Sequence, residues 1–238
     1  MFSQVNPVAG VAPFNDWFTP DTIQRGVLGL TVMGVDPFWG QGEFMYVKSA
    51  DAILKGSVVM WDESYNAALL PSTVTQGFPC AVAMAPMASG TYGWVQRRGR
   101  AVYKTNATVA ADGVIAIAAA GIFGATATGK QILNIRNRIS ATGTKTFTAS
   151  TQNGTNVLVC PSGYDGAFLG MALSGTGIPA STVVAGLDPD GKRIYTGSAI
   201  GTFGDKNSTA TGSITLTGTY TGYGSGIIDC PSCMQIVT

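Results

Sequence analysis

The sequence predicts an all-β fold: a small antiparallel β-barrel or sandwich with an extended N-terminal arm before it and a second, smaller C-terminal β unit after it. Three observations carry this. Between Asp36 and Ile139 six short apolar or β-branched runs follow one another, each bounded by Gly, Pro, Asp or Asn. Glycine makes up 32 of the 238 residues, and Thr, Ser and Ala are abundant throughout. Turn dipeptides such as Asp112-Gly113 stand immediately before apolar runs, the signature of hairpins.

Residues 1–35 are assigned to the arm. Pro7, Pro13 and Pro20 bias it toward extended backbone, while Phe14, Trp17 and Phe18 supply anchoring area. Two placements fit these residues, across a neighbouring subunit or folded back over the chain's own core. Leu28–Met33 alternates as a first strand. The barrel or sandwich is assigned to residues 36–140, beginning with a turn at Asp36-Pro37 and Gly40-Gln41-Gly42 and a strand from Phe44 to Lys48. Val58 to Trp61 is the next strand, and Asp62 to Asn66 the turn after it. Pro71 bars Leu69-Leu70-Pro71 from a central position. In Ala81–Ala85, Val82 and Met84 share one face and three alanines the other, which predicts a close-packed layer on the alanine side.

Trp94 to Tyr103 carries Arg97, Arg98 and Arg100, a basic cluster that reads either as an electrostatic contact to an acidic partner or as a solvated strand end. Val114–Ile117 and Gln131–Ile135 complete the runs. At residues 140–157 the composition shifts to Thr, Ser, Gly and Asn. That stretch is a linker or the exposed first strand of a further β unit, assigned to residues 141–238.

Composition limits function. Only 11% of residues are charged, against roughly 25% in an average soluble domain, so much of the surface is expected to be covered by copies of the chain or by a larger assembly. Fourteen basic residues balance 13 acidic ones, which argues against nucleic acid as a partner. Histidine is absent, removing the commonest general base and metal ligand. The start of the chain lacks the pattern of a secretory signal. Its longest weakly apolar run, Val114–Ala125, is too short for a bilayer, so no membrane partner is expected.

The motifs that could carry chemistry are incomplete. Gly124 to Lys130 has P-loop spacing, but Gln131 stands where a Ser or Thr hydroxyl is needed. Cys230-Pro-Ser-Cys233 has redox or zinc spacing without a βαβ context, and Cys80 and Cys160 would complete a thiolate set only if the fold gathered them. The echo of Cys160-Pro-Ser in Cys230-Pro-Ser suggests equivalent strand ends of the second unit. Asp188–Gly191 reads as a tight turn, and the adjacent pair Asp62-Glu63 does not make an acid/base dyad. No enzyme, cofactor or metal is therefore expected.

The order from Gly42-Glu-Phe-Met-Tyr46 to Tyr92-Gly-Trp-Val-Gln96, followed by Gly99 and Ala101, resembles the small β-domain of tailed-phage capsid decoration or cement proteins, over roughly residues 20–140. Gly170–Val184 followed by Ala210–Gly218 resembles a β-module of phage and bacterial surface proteins, in which the two segments pair. The resemblance implies a virion protein made in the host cytoplasm and placed on the capsid exterior. As a dimer or trimer it would bind across neighbouring copies of the major capsid protein and stabilise the shell. Phe14, Trp17, Phe18, Arg97, Arg98 and Arg100 are the expected partner contacts. A tail, fibre or receptor-binding component is the alternative.

Overall fold

The computed structural model describes residues 3–4, 19–36, 40–73, 78–106, 109–125, 130–164, 167–168, 170–188, 191–199 and 202–234. Among these residues the chain is built of strands and turns, with no helix. In order the strands are β1 (Ser3–Gln4), β2 (Thr31–Asp36), β3 (Gly40–Ser49), β4 (Val58–Trp61), β5 (Asn66–Leu69), β6 (Cys80–Ala83), β7 (Tyr92–Lys104), β8 (Ile115–Ala119), β9 (Ile122–Ala125), β10 (Gln131–Asn137), β11 (Thr142–Thr151), β12 (Val157–Val159), β13 (Ala172–Gly175), β14 (Thr182–Leu187), β15 (Arg193–Gly197), β16 (Gly212–Thr221) and β17 (Tyr223–Met234). The chain divides into two compact units. The first is Met1–Ala141 together with Gly222–Thr238, and the second is Thr142–Thr221.

This division corrects the expected extent of the C-terminal unit. It ends at Thr221, and β17 returns to the first unit, where it lies between β7 and β10. The physical reason is the ladder waiting for it: β17 pairs with β7 from Tyr223↔Lys104 to Asp229↔Arg98 and with β10 along its other edge, burying Ile228. Gly224 and Gly226 are required in that ladder. A Cβ at Gly226 would stand 1.8 Å from Arg136 O, and one at Gly224 2.5 Å from the Tyr103 ring.

The first unit is one 11-stranded sheet, and the added pairing of β3 with β7 closes β3, β5, β4, β6 and β7 into a ring. One face of those strands fills it with Met45, Val47, Val59, Ala67, Ala81, Ala83 and Val95, joined by Ile53 and Met87. The alanine face of β6 thus enters this core, and both faces of the strand are buried. Val82, on the opposite face, enters a second core with Ala101, Tyr103, Ile115, Ile117, Phe123, Ile132 and Ile228. That core lies among β7, β17, β10, β8 and β9, a run of the sheet whose far end is tied back by the Thr105↔Phe123 bridge just beyond β7. Both cores therefore hang on β7.

Part of the arm assigned to residues 1–35 belongs to the sheet. Thr31–Asp36 is strand β2, fully paired with β3, and Val32 packs with Phe44, Tyr46 and Trp94. Upstream, Asp21 bridges Tyr92, and Tyr46 Oη donates to Asp21 Oδ2 at 3.0 Å. The strand expected at Leu28–Met33 starts three residues later, as β2, because Val27–Leu30 makes a turn, closed by Leu30 N donating to Val27 O and built on Gly29 at φ +78°. Asp62 organises the β4–β5 turn by accepting from Ser64 N, Asn66 N and Asn66 Nδ2, each at 2.9 Å. Asp112-Gly113 is a turn as well, but no strand stands directly before it to make a hairpin.

The second unit is a closed antiparallel barrel, β11-β12-β15-β14-β13-β16. The Thr-rich stretch at its start is strand, and Ala172–Gly175 pairs with Gly212–Thr221 from Ala172↔Thr219 to Gly175↔Leu216. Its interior takes every second residue of β11 and β16, among them Phe147, Ala149, Ile214, Leu216 and Tyr220. Tyr220 meets Phe168 edge to face at 5.2 Å. Gly218 is small for a reason, since a Cβ there would lie 2.3 Å from Met171 Sδ.

Candidate contact surfaces

The three arginines lie within β7, not at a strand end, and a bulge sets their directions. The register between β3 and β7 slips between Glu43 and Phe44, which leaves Arg97 as the extra residue. Gly99 absorbs the kink at φ +99°, where a Cβ would come within 2.6 Å of Gln41 O. Buried Gln96 ties the bulge together, its Nε2 donating to Arg98 O and Arg100 O at 3.0 Å each.

Arg98 has Glu43 as its cross-strand partner on β3 and Asp229 on β17. Its Nε donates to Asp229 Oδ1 at 2.6 Å and its Nη1 lies 3.6 Å from Glu43 Oε2, with the side chain half exposed. The hydrogen bond with Asp229 is the main cause that pushes its guanidinium further up. Arg97 is less exposed. Its Nη1 is 3.6 Å from Glu43 Oε1, its guanidinium carbon sits 5.6 Å from the centre of the Trp61 ring, and Nη2 donates to Cys230 Sγ at 3.7 Å. Arg100 is exposed and pairs in register with Ile227, itself an exposed apolar residue. Arg97 and Arg98 are therefore held in place by Glu43, Asp229 and Trp61 before any partner arrives. Phe14, Trp17 and Phe18 lie outside the described residues.

The cysteines are divided between the units, with Cys80 and Cys230 in the first and Cys160 in the second. Cys80 is buried in the first unit and Cys160 in the second, where burial pushes its thiol up to about 11. Cys160 follows β12, whereas Cys230 sits inside β17 of the first unit at φ +46°, so the two Cys-Pro-Ser echoes are not equivalent ends of one unit. The side chain of Cys233 lies outside the described residues. Among the described residues no three Cys, Asp or Glu side chains gather in metal-binding geometry. Gly124 ends in β9 and Lys130 precedes β10, with residues 126–129 of the P-loop-like stretch outside the description.

The second unit carries a surface that the sequence reading did not single out. Along β11 and β16 the cross-strand partners are Thr142↔Thr221, Thr144↔Thr219, Thr146↔Thr217, Thr148↔Thr215 and Ser150↔Ser213. All ten face outward; nine are exposed and Thr217 is half-buried. Exposed Ala172 and Ser174 of β13 extend the face beside Thr219 and Thr217, and Ser174 Oγ donates to Thr217 O at 3.3 Å. The signal was present as period-two threonine in both segments; what a sequence does not display is that the two rows share one register. The protein-family models, the curated proteins and the solved structures return no match to this chain.

Proposed function

We propose that this chain is a structural virion protein that decorates and stabilises a phage capsid. It would bind as a homo-oligomer across neighbouring copies of the major capsid protein, on the capsid exterior. The observation that carries the reading is the arginine group of β7. Arg97 and Arg98 are fixed by Glu43, Asp229 and Trp61, and Arg100 stands exposed beside them. Guanidiniums already ordered lose little side-chain entropy on docking, and arginine is enriched where protein surfaces meet. The low charge of the chain supports the same reading, because a surface meant to be covered does not need the solvated charge of a free monomer. Repetition across a shell then multiplies modest contacts through avidity.

The test is co-sedimentation of the purified chain with expanded empty capsids of its phage. Saturation at a fixed ratio to capsid subunits is expected, with Arg100→Glu binding at least tenfold more weakly while its thermal melting is unchanged. A chain that stays in the supernatant at every concentration overturns the reading, and binding to host cells then examines the receptor-binding alternative.

A further inference from the structure

We infer that the outward face of β7, β17 and β10 around Ile227 is the docking site for an acidic segment of a partner protein, one in which acidic side chains flank an apolar one. The inference rests on the docking role proposed above for the arginines of β7, and it adds β10 to the contact and a chemistry to the partner. Five of the chain's seven arginines lie on β7 and at the C-terminal end of β10, two groups far apart in sequence. Pairing on both edges of β17 sets Arg100, Ile227 and Arg136 in one row. Cross-strand partners share a face, and the neighbouring Ile228 belongs to the core, so all three point outward. Ile227 is 54% exposed. Arg98 lies one step along this face in one direction, paired with Asp229, and Arg138 one step in the other, its N donating to Ser225 O at 2.7 Å.

The face already displays its ligand. Asp112 Oδ1 accepts from Arg138 Nη1 at 2.9 Å and lies 3.5 Å from Arg136 Nε, and Asp229 Oδ1 accepts from Arg98 Nε at 2.6 Å. Arg136 and Arg138 share the single carboxylate of Asp112, so the β10 side keeps a positive charge that a further carboxylate neutralises. Each guanidinium brings a fork of donors to meet it. Asp112 also holds the two forks near each other, which reduces the entropy lost on docking.

Ile227 selects the class of anion. An exposed aliphatic side chain between two guanidiniums favours a partner that brings apolar surface together with its charge. Nucleic acid fits poorly, because Asp112 and Asp229 on the same face repel phosphates and isoleucine offers a base no ring on which to stack. Two inter-strand steps of about 4.8 Å put the backbones at Arg100 and Arg136 about 10 Å apart, a width suited to one extended segment.

Fluorescence anisotropy with the full chain at about 20 mM salt, where charge pairs are little screened, tests this. The probe is a labelled peptide of Glu-Leu-Glu repeats between Gly-Ser spacers. Its counterparts carry Gln for Glu or Ser for Leu, and an oligodeoxythymidine of equal charge stands for nucleic acid. The Glu-Leu-Glu peptide is expected to bind at least tenfold more tightly than the Gln peptide and the oligonucleotide, and about threefold more tightly than the Ser peptide. Arg136→Gln combined with Arg138→Gln, both exposed, should weaken it at least tenfold with unchanged melting. Arg25→Gln combined with Lys48→Gln removes the same charge beside Tyr92, at the other end of β7, and should change it less than about twofold. No binding of the peptide up to about 1 mM overturns the inference, as does tighter binding of the oligonucleotide or an equal loss in the two double variants. No capsid is present, so the two readings fail separately. A chain that binds the peptide but no shell contradicts decoration alone. Shell binding that Arg100→Glu weakens and the Arg136, Arg138 double variant leaves intact contradicts this inference alone.

Discussion

At the scale of single residues, the first unit rests on positions where no other side chain fits. Gly99 combines φ +99° with a Cβ site against Gln41 O, so Gly99→Ala is expected to lower stability by about 1–3 kcal/mol. A shift of the urea midpoint measures it. Asn137 is fully buried. It accepts from Tyr103 Oη at 2.9 Å and donates through Nδ2 to Ala110 O and Ile139 O. Asn137→Ala removes these bonds from Tyr103 Oη and Ile139 O, while Ala110 O keeps Gly113 N as a donor, and should destabilise the chain by about 3 kcal/mol, again read from the urea midpoint. Burial pushes Tyr46 up to about 12 and Tyr103 up as well, from an unfolded value near 10. A raised folded value means that the folded state keeps its proton longer. The stability these groups contribute is complete below about pH 10 and lost as pH climbs toward 12. Unfolding midpoints across pH 9–12 should fall accordingly, and Tyr103→Phe should make the decline shallower.

At the scale of elements, β7 is the strand on which both cores of the first unit depend, and β17 completes its second edge. A chain ending at Thr221 would leave β7 and β10 with open ladders and Ile228 missing from the core. The first unit of such a chain is expected to lose its protease resistance while Thr142–Thr221 keeps its own.

The sequence made some of these elements legible and hid others. Val58–Trp61 and Ala81–Ala83 were readable because both strands are apolar on both faces and the turns around them are chemically marked. β17 was not, because Gly224, Ser225 and Gly226 look like loop and Pro231 looks like a strand end. Their smallness is imposed by neighbours, Arg136 O and the Tyr103 ring, which no local pattern reveals. The arginine cluster was visible as composition, but its place within a strand depends on the partners Glu43 and Asp229, 55 and 131 residues away along the chain.

At the scale of the whole molecule, the second unit is an insertion whose two ends lie together. Gly222 N donates to Ala141 O at 2.8 Å in the first unit, and Thr142 pairs with Thr221 in the second. Replacing Thr142–Thr221 by a short Gly-Ser turn should therefore leave a first unit that folds cooperatively, and the excised barrel should fold alone. Calorimetry of the three chains checks this, since the two separate transitions should account for the melting of the full protein.

If the chain decorates a shell as proposed, its effect is read on the shell itself. The most direct measurement is the heat resistance of expanded empty capsids, followed by light scattering with and without saturating protein. Bound protein is expected to raise the temperature at which shells disrupt, in proportion to occupancy, and Arg100→Glu to require more protein for the same gain. Shells that disrupt at the same temperature at full occupancy would contradict it.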